Sequence, residues 1–143
     1  MKKFEFTLQR LQEVKEMEEE QKRAELSGLD KEMAGLLDHQ GRLHEMFEAQ
    51  TSEYNKECKR GIGKADLKSY GDYFEYLNEE MAAQQTLIEE CQERINICRQ
   101  ELLKLINEQK VLERMKDEQL AEYNAELQKS FDKEIEDFMQ GRL

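Results

Sequence analysis

The chain has 143 residues, 33 acidic against 22 basic, for a formal net charge of -11, and it contains neither proline nor tryptophan. Ala, Glu, Lys, Leu and Arg make up about half of it, a composition that belongs to long helices or coiled coil. With 38% apolar residues and a mean hydropathy of -0.97, a single large core is excluded and burial must run along a stripe. Sheet architectures lack the turn residues they need, and the negative field opposes binding to phosphate backbones and docking on anionic lipid.

The first residues, Met1 to Arg10, carry two lysines and then Glu5, with no apolar run of signal-peptide length, so export by that route is unsupported. Helix one is expected over about 3–59. Its apolar stripe runs Leu26, Leu29, Met33, Leu36, Gln40, Leu43, Phe47, Gln50 and Tyr54. Between Val14 and Leu26 the stripe thins, with only Met17 and Ala24 apolar. Gly28, Gly35 and Gly41 fall on its outer side, each costing about 1 kcal/mol against Ala. Two readings fit them: packing tolerates them, or they soften the helix so that it can bend.

One place breaks the pattern decisively, Lys59-Arg60-Gly61-Ile62-Gly63-Lys64-Ala65-Asp66. Two cations complement the negative end of the preceding helix, and Gly61 suits the left-handed position that terminates it. Gly63 can cap the next helix, with Asp66 three residues on. The turn is therefore set at about 60–65 and helix two at about 64–140.

Helix two carries apolar or Gln residues in steps of three and four from Leu67 through Tyr70, Phe74, Leu77 and onward to Leu112. Thirteen steps cover 45 residues, or 3.46 per step, the heptad repeat of a left-handed supercoil. A short turn between two such stripes makes them antiparallel neighbours. The expected fold class is all-α: two long helices forming an antiparallel coiled-coil hairpin with a C-terminal helical overhang, one unit over 1–143.

Folding the hairpin about residue 62 pairs residues whose numbers sum to about 124, which leaves the chain beyond about 121 without a partner. That overhang stays apolar on one face, in Tyr123, Leu127, Phe131, Ile135 and Phe138. From Leu112 to Phe138 seven steps take 26 residues, or 3.71 per step, which suits a straight or slightly right-handed helix. Each of Leu127, Phe131, Ile135 and Phe138 would gain roughly 1.5–3 kcal/mol on burial. An exposed apolar patch of this kind marks a partner site or a surface for self-association.

Catalytic chemistry is missing from the pattern. His44-Glu45-Met46-Phe47-Glu48 holds half of a zinc-protease motif without its second His, and His39 shares no face with it. Gly61-Ile62-Gly63-Lys64-Ala65 lacks the spacing and the Ser/Thr of a phosphate loop. Cys58, Cys91 and Cys98 are odd in number. Cys91 and Cys98 lie about 10.5 Å apart along a helix, beyond disulfide reach, so the thiols read as reduced, in the cytoplasm. No stretch is long and apolar enough to span a membrane. A two-helix rod offers no concave pocket. The expectation is a non-enzyme with no cofactor and no metal.

The start, Phe4-Glu5-Phe6-Thr7-Leu8-Gln9-Arg10-Leu11 after Met1-Lys2-Lys3, and Gly61-Ile62 at the turn resemble the FliJ family of flagellar export proteins. So do Tyr70-Gly71-Asp72-Tyr73-Phe74-Glu75-Tyr76-Leu77, Lys110-Val111-Leu112-Glu113-Arg114-Met115-Lys116 and the tail Gln128-Lys129-Ser130-Phe131-Asp132-Lys133-Glu134-Ile135. The resemblance covers the whole length. It implies a cytoplasmic component of the flagellar type III export apparatus, peripheral to the inner membrane and built like the central stalk of a rotary ATPase. Its paired termini would enter the export ATPase ring through Phe4, Leu8, Leu11, Tyr123, Leu127, Phe131, Ile135 and Phe138. Family positions that contact the cytoplasmic domain of the export gate fall on Tyr73, Leu77, Glu80 and Gln84, and export chaperones are further implied partners. Glu80 and Gln84 depart from a more apolar or small family pattern. Two other identities fit the same residues, a coiled-coil scaffold that homodimerises and the equivalent stalk of a virulence-type secretion system.

Overall fold

A computed structural model describes residues 2–141. Met1, Arg142 and Leu143, which the sequence reading includes in its single unit, lie outside the described residues. Among the described residues there are two helices, α1 (Gln9–Arg60) and α2 (Lys64–Gly141), packed against each other as an all-α hairpin. Gly61 ends α1 with a φ of 93°, a conformation that glycine adopts without steric cost, and its N–H donates to the Cys58 carbonyl at 3.3 Å. The Gly63 carbonyl accepts the first bond of α2, from Leu67 N–H at 2.9 Å, and Asp66 stands in that first turn.

Helix one starts six residues later than the periodicity suggests. Residues 2–8 are not helical. The reason lies in the aromatic spacing: Phe4 and Phe6 are two apart, which puts them on one face of an extended segment and on different faces of a helix. Burying Phe6, which keeps only 7% of its surface exposed, outweighs one more helical turn in a segment too short to be helical by itself.

The hairpin consists of two compact units, Ala24–Arg99 and the combination of Met1–Arg23 with Gln100–Leu143. In the first, Leu29, Cys91, Ile95 and Cys98 form a buried cluster with Leu26, Met33 and Leu36 packed on it. Leu43 and Leu77 continue the burial towards the turn. Gln84 replaces an apolar knob in this seam and donates to the Leu36 carbonyl at 2.8 Å, so its amide is satisfied where burial would otherwise cost free energy. Arg94 forks onto Glu32 at 2.7 and 3.1 Å beside the same seam. The pairing holds the Glu32 carboxyl below its ordinary 4.5 and pushes the guanidinium up.

In the second unit Leu102, Leu105, Leu112 and Phe6 are the buried apolar residues. Gln12, buried as well, donates to Glu113 at 2.9 Å. Lys15 pairs with Glu108 at 2.8 Å, which raises the ammonium and lowers the carboxyl, and Lys22 pairs with Glu101. Within each unit, partners across the seam have residue numbers that sum to 120–128, around the expected 124.

Candidate partner-binding surfaces

Two surfaces follow from the sequence, one in each unit. At the chain termini, residues 2–8 form a strap against α2. The Phe4 ring meets Tyr123 with centroids 5.5 Å apart, and the Tyr123 hydroxyl donates to the Lys2 carbonyl at 2.6 Å. The Thr7 N–H and hydroxyl both lie within hydrogen-bond reach of the Gln119 side chain, at 3.0–3.4 Å. Phe4, Leu8 and Tyr123 are half-buried by these contacts, while Leu11 is exposed. Lys2, Lys3, Phe4, Glu122, Tyr123 and Glu126 line a shallow open groove between strap and helix.

Past Tyr123 the cover stops. Every described residue from Asn124 to Gly141 is exposed, yet the segment remains one continuous α-helix. Leu127 is 42% exposed, Phe131 56%, and Ile135 and Phe138 fall in the same range. Their steps of four, four and three set them along one side of α2. Around them Glu126, Lys129, Asp132, Lys133, Glu134 and Asp137 supply charges of both signs. A helix with a greasy edge and a mixed-charge back can seat in a ring or groove.

Near the turn, aromatic rings tie the seam. Phe47 and Phe74 meet edge to face at 5.2 Å, Tyr54 and Tyr70 at 5.3 Å, and Tyr54 and Phe74 at 5.9 Å. The Cys58 side chain, hydrogen-bonded to Tyr54 one turn away, holds that phenol above its ordinary 10.0, and burial does the same for Tyr70 with help from Glu57, Glu53 and Asp66. The seam ends there: Leu67, the first residue of the expected stripe, is 47% exposed.

The four positions that the resemblance assigns to the gate do not share one surface. Leu77 is fully buried and Gln84 only 6% exposed, both facing α1. Tyr73 and Glu80 are half-buried at the edge of the seam, and Tyr73 lies 6.2 Å from the outward ring of Tyr76. The steps of four, three and four that place these positions on one face also describe the heptad seam, and spacing alone does not separate a partner face from a self-face.

Sequence reasoning missed Phe6 and Gln12. The alternation Phe4-x-Phe6 was the available signal for the first. Gln12 carried none, since a glutamine on a charged helical turn reads as solvated. Among the described residues, no group of three or more His, Cys, Asp and Glu could hold a metal ion, and no helix is long and apolar enough to cross a membrane.

The family model described as Flagellar FliJ protein matches residues 4–140. No curated protein and no solved structure matches the chain.

Proposed function

The chain belongs to the FliJ family, whose role is in flagellar export and is non-catalytic, and from that premise we propose that it is a stalk-like adaptor of the type III export apparatus in the cytoplasm. The overhang of α2 enters the ring of the export ATPase and promotes its assembly and turnover. The observation that carries this reading is the bare apolar edge at Leu127, Phe131 and Ile135 on a helix that persists without a partner. These three side chains would gain several kcal/mol between them inside a collar, at roughly 1.5–3 kcal/mol for each fully covered residue. Phe4, Leu8, Leu11 and Tyr123 form the shoulder on which the collar ends, with Phe138 towards the tip.

The turn-proximal unit meets the cytoplasmic domain of the export gate. Tyr73 and Glu80 supply its accessible side chains, together with the exposed ring of Tyr76, whereas Leu77 and Gln84 act from within the seam by fixing where those rings stand. Escort of export chaperones is the remaining part of the proposed role.

The test is stimulation of the candidate export ATPase by the full chain and by Leu127→Asp/Phe131→Asp/Ile135→Asp. The variant is expected to stay helical, because those side chains touch nothing that the fold needs, and to lose stimulation. Undiminished stimulation would overturn the assignment of the overhang. Sedimentation at low micromolar concentration separates the self-association reading, since a stalk is mainly monomeric and a scaffold that buries its own overhangs is a dimer.

A further inference from the structure

The net charge of -11 is unevenly laid out. From Lys56 to Lys68 the chain carries five cations, Lys56, Lys59, Arg60, Lys64 and Lys68, against two acids, Glu57 and Asp66, and from Cys58 to Ala65 it carries no acid at all. All five cations are exposed, and none of them makes an ion pair among the described residues. Other exposed cations among the described residues are also unpaired, but they are scattered among acids along the helices, whereas these five fall within thirteen residues that hold only two acids. The turn of the hairpin thus presents a basic end, five cations against Glu57 and Asp66.

Apolar side chains stand among those charges. Ile62 sits at the apex between Gly61 and Gly63, half-exposed, and Leu67 has left the seam and is 47% exposed one turn into α2. Cations surrounding an apolar apex are the chemistry of a surface that meets lipid headgroups, where the ammonium and guanidinium groups reach phosphates and the aliphatic tip settles at the boundary. An extended polyanion would instead need a long basic track, and the two helices turn acidic on both sides of the turn.

Distance resolves the conflict with the total charge. The next acids outward, Glu53 on α1 and Asp72 on α2, are nine and ten residues from Ile62, which at 1.5 Å per residue is about 13–15 Å along a helix. The screening length at physiological ionic strength is about 8 Å. A surface touched end-on by the turn therefore feels a tip with an excess of positive charge, Glu57 and Asp66 included, and little of the acid behind it. The exclusion of anionic lipid drawn from net charge applies to the flanks of the helices and fails at their joined end.

We propose that the turn of the hairpin docks peripherally on the anionic headgroups of a bilayer, through Lys59, Arg60 and Lys64 with Ile62 and Leu67 at the contact. The proposal stands on the placement of these charges and of the half-exposed Ile62 and exposed Leu67, and is independent of the ring and gate assignments.

The test is co-sedimentation of the full chain with vesicles of phosphatidylglycerol and phosphatidylcholine, against vesicles of phosphatidylcholine alone. The protein is expected to bind the anionic vesicles, and to be released by salt. Lys59→Gln/Arg60→Gln/Lys64→Gln is expected to lower the partition by at least about tenfold. A control with the same change in net charge away from the turn, Lys31→Gln/Lys110→Gln/Arg114→Gln, should leave it within about twofold of the unmodified chain. Circular dichroism verifies that both variants remain helical. Equal sedimentation with the two vesicle types, or equal loss in the two variants, would overturn the proposal.

Discussion

The unit of Ala24–Arg99 and the last eighteen described residues of α2 obey the same rule of apolar spacing, and they end in opposite states. In the first, Leu77, Cys91, Ile95 and Cys98 are sealed between two helices. In the second, Leu127, Phe131 and Ile135 repeat at helical intervals with nothing of the chain over them. The difference teaches that hydrophobic periodicity reports which side of a helix is meant to be covered. What covers it depends on the segment across the seam, and here α1 begins at Gln9 and residues 2–8 reach only as far as Tyr123.

The sharpest way to break that comparison is to place a charge in each stripe. Ile95→Asp strands a carboxylate inside the seam and should cost more than about 4 kcal/mol, unfolding the turn unit. Phe131→Asp should leave the urea midpoint of the whole chain within the error set by about 0.5 kcal/mol. If the two fall together, the overhang is part of the cooperative fold. Truncation sharpens the contrast next: Leu77→Ala is expected to cost about 2–5 kcal/mol and Ile135→Ala nearly nothing, read by denaturant melts. Gln84→Ala comes third, at about 1 kcal/mol. It removes the donor to Leu36 while that carbonyl keeps its helical partner, and amide exchange around Leu36 should accelerate.

Acid probes both units at once. The carboxyls of Glu32 and Glu108 are held below their ordinary 4.5 by Arg94 and Lys15. A carboxyl with a lower value in the folded than in the unfolded chain stabilises the fold above the unfolded value. It gives that stability up as pH falls through the folded one. The expected result is a loss of stability beginning below about pH 4.5, with a shallower slope in Glu32→Gln/Glu108→Gln. The pairs are exposed, so the effect is small. Gly35→Ala acts in the opposite sense: a methyl group there would meet no atom within 4 Å and should stabilise α1 by about 0.5–1 kcal/mol, read by the same denaturant melts.

The hairpin was legible because its signals are local and repeated. Gly61 and Gly63 mark the turn, and Leu29, Leu43, Ile95 and Leu102 keep the heptad that makes α1 and α2 neighbours. The start of α1 was not legible from the same repeat, since Phe4 and Phe6 follow a period of two and are read wrongly in steps of three and four. The overhang was visible as soon as the two arms were counted against each other. The positions proposed for the gate were least legible: Tyr73 and Leu77 are one turn apart, and only the packed structure shows that one ring stands at the edge of the seam while the other side chain closes it.

Of the three thiols, Cys58 alone stands in solvent, whereas Cys91 and Cys98 are sealed against α1. The native molecule therefore offers a maleimide one address, four residues before the apex of the turn, and a dye fixed there would report on that end without any engineered residue. The two hidden sulfurs would accept label only when the helices part, so the number of dyes taken up with time measures how often the hairpin opens.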